Sequence, residues 1–351
     1  MTRKESMDLY EYYEAQYDPS WVNPNGRPQK RNGQHKPKKA PVEVLAELVD
    51  DPSDITQGFE TSYRPSQYEQ GWLLSSMLPF YEEGLITDVL FKVKGGKEAS
   101  VYCCQAHPVT GFDLLAVKVY RPRMFRNLRN DKMYRQGREI LVAGGRPAGR
   151  DSGYIERAIR NKSGFGQQAA HTSWLMYEFT ALESLYQVGA SVPRPIHASD
   201  NAILMTYHGD ERIAAPTLNT IALEPDEARG LFRQVLHNVE LMMHLGMIHG
   251  DLSAYNILYW EGGITLIDFP QVVNLHTNEK ARFILGRDIE RICEYFIQQG
   301  VDCHPRRIAE DLWRRHVQDL DPEDQKADLS VLLARLEKEQ ESHPGRAISQ
   351  M

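Results

Sequence analysis

The segment His249-Gly250-Asp251-Leu252-Ser253-Ala254-Tyr255-Asn256 places a carboxylate and a carboxamide on one short loop, and Asp268 follows shortly after a strand-like run. These side chains suit phosphoryl transfer. Asp251 can accept a proton from an attacking hydroxyl, while Asn256 and Asp268 can hold magnesium on nucleotide phosphates. Ile257-Leu258-Tyr259-Trp260 and Ile264-Thr265-Leu266-Ile267 read as two strands joined through Glu261-Gly262-Gly263. Such a hairpin returns Asp268 to the neighbourhood of Asn256. The bland reading is a polar turn between a buried helix and a hairpin, and a nucleotide-binding half upstream weighs against it.

That half opens with the alternating strand Val89-Leu90-Phe91-Lys92-Val93, followed by a turn of small residues into a second strand, Gly95-Gly96-Lys97-Glu98-Ala99-Ser100-Val101. Glycines let a backbone approach phosphate oxygens, and free N–H groups can bind them. A Gly-Gly hairpin turn with no ligand is an equally ordinary reading of these residues alone. The third strand, Leu114 to Tyr120, carries Lys118 in an apolar run. A lysine there is costly unless its ammonium meets an anion, and Ala116-Val117-Lys118-Val119 has the form of a strand lysine that holds nucleotide phosphates and pairs with a helix glutamate. A snorkelling surface lysine is the alternative. The partner glutamate is expected on a helix over Ser173 to Val188, where Trp174, Tyr177, Leu182, Leu185 and Tyr186 recur at helical spacing. Glu178 and Glu183 are both candidates, Glu178 favoured for its earlier position. Gly189, Pro193 and Pro195 end that helix. Ile203 to Tyr207 reads as the last strand of the first lobe, with main-chain groups around Met205 to Tyr207 placed to hold adenine.

A chain of 351 residues is long enough for two lobes with a sizeable core. The formal net charge of −7 makes no general demand for nucleic acid. Charge is uneven, however: residues 27 to 39 carry six Lys/Arg and no acid, and residues 121 to 162 carry twelve against four. Such runs are usually solvated segments, and they can also serve as footprints for RNA or a ribosomal particle. The cysteines Cys103, Cys104, Cys293 and Cys303 lack metal-ligand spacing and fit a reducing compartment. No apolar run approaches the ~18 residues of a membrane-spanning helix, and the N-terminal residues lack a signal-peptide core. A cytoplasmic location is expected.

Residues 1–70 are polar and aperiodic and are expected to be mostly disordered, with a short helix near Val42 to Leu48. A first lobe is expected over 72–208. It begins with one or two helices through Leu85 and contains a basic, glycine-bearing insert over 125–168 that is expected to be mobile. A second, mainly helical lobe is expected over 209–337, followed by a frayed tail over 338–351. Its first helix begins near Glu224-Pro225 and runs to Gly246, with Leu231, Phe232, Val235, Leu236, Val239, Met242 and Met243 on one face. A second amphipathic helix spans Ala281 to Gln299.

With these pieces in hand, the chain resembles the RIO family of atypical serine protein kinases over roughly residues 75 to 320. The resemblance is carried by Gly96-Lys97-Glu98-Ala99, the loop from His249 to Asn256, Ile267-Asp268-Phe269-Pro270-Gln271 and the helix Gly286-Arg287-Asp288-Ile289-Glu290-Arg291-Ile292. No winged-helix pattern precedes residue 75, which resembles the branch without that module. The resemblance implies an α+β, bilobal protein-kinase-like fold of trimmed type, with an antiparallel-sheet N-lobe, a mainly helical C-lobe and no activation segment. Gly250 stands where most protein kinases have the arginine that reads a phosphorylated activation loop.

The resemblance further implies that Asp251 is the catalytic aspartate and that Asn256 and Asp268 are metal ligands, Asp268 also a possible phosphoryl acceptor. It implies that Lys118 contacts the phosphates of ATP and pairs with Glu178, and that Ser100 and the backbone from Gly95 to Ala99 line the phosphate loop. Magnesium is the implied metal, with manganese as a substitute. The insert resembles a flexible loop that can carry an autophosphorylated serine, for which Ser152, Ser163, Thr172 and Ser173 are candidates. Ser100 replaces an asparagine common in this branch, and the insert is longer and richer in arginine than usual. A role in small-subunit ribosome maturation is what the family suggests for partners. Two other readings compete: a small-molecule phosphotransferase of the aminoglycoside or choline kinase type, which uses a similar His-Gly-Asp-Leu loop, and a nucleotide-dependent RNA-binding scaffold. Gly96-Lys97-Glu98-Ala99 and Gln271 suit the RIO pattern better than the former.

Overall fold

The computed structural model describes residues 59, 61–96, 99–120, 138–142, 144–149, 152–161 and 163–318. The helix expected near Val42 to Leu48, nearly all of the 1–70 extension, Lys97 and Glu98, the basic run over 125–137, the helical reading from 319 to 337 and the tail over 338–351 lie outside the described residues. The chain divides into two compact units, one of residues up to Arg129 with Ile196–Tyr207, the other of Asn130–Pro195 with the residues from His208 onward.

The first unit is built on a sheet. Helix α1 (Gln67–Glu82) is followed by β1 (Ile86–Gly95), β2 (Ala99–Ala106), β3 (Leu114–Tyr120), β4 (Pro195–Ala198) and β5 (Ala202–Thr206). The strand order is β1-β2-β3-β5-β4, and the β1–β2, β2–β3 and β3–β5 pairings are antiparallel. Trp72, Leu73, Met77 and Phe80 of α1 share a core with Val89, Tyr102, Cys104, Leu115, Val117, Val119 and Leu204 of the sheet. Alternation along β3 sends Val117 and Val119 into that core and Lys118 to the opposite face. One buried acid anchors α1: Glu69 accepts from the Tyr102 hydroxyl and, at 3.1 Å, from Tyr63, and Lys92 Nζ lies 3.2 Å away. A buried carboxylate is tolerable when it is hydrogen-bonded and paired in this way. Strand β4, which begins at Pro195, is an element the periodicity did not reveal; it sits at the edge of the sheet, where a proline costs no ladder bond.

The second unit is mainly helical. Helices α2 (Ser152–Arg160) and α3 (Gly164–Gln187) precede the β4 and β5 segment. Helix α4 (Pro225–His244), β6 (Met247–Ile248), β7 (Ile257–Trp260), β8 (Gly263–Leu266), β9 (Val273–Asn274), α5 (Ala281–Gln298) and α6 (Pro305–Trp313) come after it. Helix α3 starts well before the expected Ser173, because Ser163 caps it by accepting from the Gly166 N–H at 3.1 Å. It groups with the second unit. Its partner there is local: residues 138–149, expected as mobile insert, include a hairpin-like turn with a Leu141–Pro147 bridge, and Leu141 N–H donates to Ser173 Oγ at 3.0 Å. Leu231, Phe232, Val235, Val239, Met242 and Met243 of α4 are buried, as are Ile284, Leu285, Ile289, Ile292 and Phe296 of α5. Phe232 and Phe296 meet with ring centroids 5.1 Å apart.

All four cysteines are free and buried. Burial pushes the thiols of Cys103 and Cys293 up to about 12 and raises those of Cys104 and Cys303, which keeps them as thiols at neutral pH. Since the thiolate is the nucleophile, a disulfide reagent such as DTNB is expected to leave the folded protein essentially unlabelled and to titrate four thiols after unfolding. Fast labelling of any one cysteine in the native protein would contradict the burial.

Candidate active site

The second unit assembles its polar centre on a loop braced from below. Helix α4 stops at His244, and β6 pairs with β9 through Met247–Asn274 and Ile248–Val273, which launches the chain into His249. The His249 ring is buried against Phe269, with centroids 4.7 Å apart. Its Nε2 lies 3.1 Å from the Ile267 carbonyl and its Nδ1 accepts from the Asp251 N–H at 3.3 Å, which fits the tautomer protonated on Nε2. The Gly250 N–H donates to Asp288 Oδ2 at 2.8 Å, and the Gly250 carbonyl accepts from the Arg287 guanidinium. Burial pushes the Asp288 carboxyl above its ordinary range, opposed by Arg287 and the Gly250 N–H, which favour its charged form.

On this brace Asp251 presents a half-exposed carboxylate. Arg291 Nη1 donates to its Oδ1 at 2.7 Å. Asn256, at the end of the 3-10 turn Ala254–Asn256, donates from Nδ2 to the Asp251 carbonyl at 2.9 Å and to Asp251 Oδ2 at 3.3 Å. With Nδ2 so engaged, Oδ1 is the atom Asn256 can offer to a cation. The hairpin that follows is tighter than expected. Its turn is the pair Glu261-Gly262 alone, with φ of 49° and 78°, a type I′ pattern, and Gly263 already lies in β8. The return strand brings the Ile267 N–H to the Asn256 carbonyl at 3.0 Å, and Asp268 is the next residue along the chain. Asp268 has φ of 73°, a conformation that costs a residue with a side chain about 1–2 kcal/mol. A carboxamide oxygen and a carboxylate form the hard oxygen donor set that magnesium takes.

The loop after Asp268 is clasped from afar. Arg138 Nη2 donates to the carbonyls of Pro270 at 2.8 Å and Val272 at 2.5 Å, and its guanidinium lies over the Tyr177 ring of α3, 4.9 Å from the centroid. Asp288, Arg291 and Arg138 were given no role from sequence. A signal for two of these three existed: Arg287 and Arg291 stand one turn apart around Asp288, on a helix whose other face is apolar. Nothing in the pattern around Arg138 marked it.

In the first unit, Lys118 lies mid-strand between Val101 of β2 and Ile203 of β5 and is only 8% exposed, its Nζ 5.5 Å from the centroid of the Tyr120 ring. Gly95 ends β1 opposite Ser100. Gly96 N–H donates to the Ala99 carbonyl at 2.9 Å, and a Cβ on Gly96 would lie 2.9 Å from that same oxygen, so the turn requires glycine there. Ser100 is fully buried opposite Val119, and Val101 faces Lys118 across the ladder. Met205 pairs with Ala116, and the Tyr207 ring meets Phe91 edge-on at 6.3 Å. Of the two glutamates weighed on α3, in the second unit, Glu178 is buried at 2% exposure and Glu183 is exposed. Among the proposed phosphorylation sites, Ser163 caps α3, Ser173 accepts from Leu141, and Ser152 opens α2.

A family model described as the RIO domain matches residues 149–308. The serine/threonine-protein kinase RIO1 of Chaetomium thermophilum is 29% identical over 237 residues, which are 64% of this chain and 42% of that protein. The RIO-type serine/threonine-protein kinase Rio1 of Thermoplasma acidophilum is 30% identical over 137 residues, 39% of this chain and 70% of that protein. Among solved structures, the Rio2 kinase-ADP/Mg2+-phosphoaspartate complex from Chaetomium thermophilum matches with a TM-score of 0.49 at 19% identity, covering 86% of this chain and 84% of that one. The matched stretch thus spans less than half the length of the first of these relatives. Among the described residues, no helix is long and apolar enough to cross a membrane.

Proposed function

The chain belongs to the RIO family, and on that premise we propose that it is an ATP-dependent serine/threonine-protein kinase acting through Asp251, Asn256, Asp268 and Lys118. One observation carries the reading: the bond from the Ile267 N–H to the Asn256 carbonyl brings Asp268 back beside a loop that already joins Asn256 to Asp251. Asn256 through Oδ1 and Asp268 through its carboxylate would hold magnesium. When bound, that ion supplies positive charge to the β- and γ-phosphates. Lys118 neutralises phosphate charge from its strand, and the N–H groups near Gly95, Gly96 and Ala99 receive phosphate oxygens. Asp251 orients the acceptor hydroxyl and takes its proton as the oxygen attacks the γ-phosphorus, while the bond from that phosphorus to the β–γ bridging oxygen breaks and ADP leaves. Buried Glu178 is the acid that α3 offers to the site, and the main chain at Met205 and Tyr207 fills the role of the adenine contacts. The acceptor is a serine of another protein or of this chain, with Ser152, Ser163, Thr172 and Ser173 as local candidates. The basic residues of 27–39 and 121–162 suit RNA or a ribosomal precursor as a further partner, and the cytoplasm is the compartment that fits these roles.

The test is ATP labelled at the γ-phosphate, incubated with the full chain, with and without magnesium, alone and with a generic serine-bearing protein. ADP release that requires the divalent ion is expected, and Asp268→Asn is expected to lower it about 100-fold. Release of phosphate with no labelled protein would identify an ATPase rather than a kinase. No ADP from well-folded protein with either magnesium or manganese would overturn the reading.

A further inference from the structure

Helix α5 grips the loop at three successive points. Asp288 holds the Gly250 N–H, Arg287 holds the Gly250 carbonyl, and Arg291 holds one oxygen of Asp251. The helix itself is well fixed, because Ile289, Ile292, Cys293 and Phe296 are buried along its inner face. The two Asp251 oxygens are not equivalent in this setting. Oδ1 takes a short, charged bond of 2.7 Å from Arg291. Among the described residues, Oδ2 takes only the 3.3 Å contact from Asn256 Nδ2, whose shorter bond goes to the Asp251 backbone. An aspartate's terminal torsion is broad and two-fold, so a carboxylate without such a tether presents either oxygen over a wide arc. With side-chain exposures of 40% for Arg291 and 37% for Asp251, the ion pair adds little to folding stability. Its effect is orientation.

The geometry points to Arg291 as a positioning residue that selects the reactive oxygen of Asp251, holding Oδ1 so that Oδ2 meets the acceptor hydroxyl. This rests on the kinase reading above. Arg291 touches neither nucleotide nor acceptor in this role; it removes the rotational freedom of the group that does. A small misplacement of a catalytic group is worth up to about 100-fold in rate.

The experiment compares Arg291→Met with the wild-type full chain, in the native background and in Asp251→Asn, by single-turnover ADP release and by thermal unfolding. Arg291→Met is expected to lower kcat about 10- to 100-fold, to leave KM for ATP within about twofold and to move the unfolding midpoint by no more than about 2 °C. In the Asp251→Asn background the same change is expected to cost nothing further, since the two residues act as one unit. The inference is overturned if Arg291→Met keeps kcat within twofold, if it lowers kcat equally in both backgrounds, or if the loss is matched by a large fall in stability. Wild-type turnover that is sensitive to Asp251→Asn but indifferent to Arg291 would remove this inference and leave the kinase reading standing. Absence of wild-type turnover would remove both.

Discussion

Replacing Asp251 with alanine is expected to cut ATP turnover and phosphoryl transfer by about 100- to 10,000-fold, the range for loss of a positioned proton acceptor. The protein should stay folded. The Asp251 side chain is over a third exposed, and Arg291, its ion partner, is equally open to water, so the lost pair leaves no buried charge behind. The second polar group of the loop also keeps its place, because the 2.9 Å bond from Asn256 Nδ2 goes to the Asp251 backbone carbonyl, which alanine retains. Nucleotide and metal affinity should therefore survive while the chemical step fails. Rapid-quench measurement of ADP formation, beside calorimetric titration with ATP and magnesium, separates the two. Unchanged turnover would remove Asp251 from the role assigned to it, whatever the binding data.

The change Gly250→Ala is expected to destabilise the fold by roughly 3 kcal/mol or more, the largest stability effect foreseen here. Gly250 has φ of 85°, and a Cβ there would lie 2.1 Å from the Gln271 carbonyl oxygen and 2.9 Å from its carbon. The obstacle is backbone, not a flexible side chain. It is also pinned, since Arg138 holds the carbonyls on either side of Gln271, those of Pro270 and Val272. If Gly250 retreats instead, its N–H leaves the buried Asp288 carboxylate, and an unsatisfied buried acceptor costs about 1–3 kcal/mol. Either escape displaces Asp251, so activity should fall with stability. Urea unfolding checks the first quantity; a loss below about 1 kcal/mol would show that the loop is not locked in this way. The same contact accounts for glycine at a position where most protein kinases carry arginine. In this backbone the space for a side chain is already filled by the chain returning from Asp268.

Much of the candidate site could be read from the sequence because its logic is local. Asp251 and Asn256 share one short loop. The hairpin that returns Asp268 follows from two β-rich runs around a glycine turn; the structure shortens the turn from Glu261-Gly262-Gly263 to Glu261-Gly262 and shifts the second strand by one residue, from Ile264–Ile267 to Gly263–Leu266. Lys118 stood out because an ammonium in an apolar strand conflicts with burial, and strand β3 has the bounds read for it, Leu114–Tyr120. The α4 face was legible for a similar reason, since apolar residues at helical spacing must be covered. The start of α3 was missed where its cap, Ser163, lies among glycines and polar residues that look like loop.

What the amino-acid order alone determined is therefore the inventory and its short-range arrangement: which oxygens and which ammonium are available, and which of them share a loop or a hairpin. Tertiary structure decided how the loop is held. Arg291, Asp288 and Arg138 reach Asp251, Gly250 and the Pro270–Val272 carbonyls across 40, 38 and more than 130 positions. Periodicity and turn chemistry act over a few residues, whereas contacts at such separations arise only when α5 packs beneath the loop and Arg138 lies over Tyr177. An arginine on a helix looks alike in sequence whether it faces water or a carboxylate, and only the packed fold distinguishes the two.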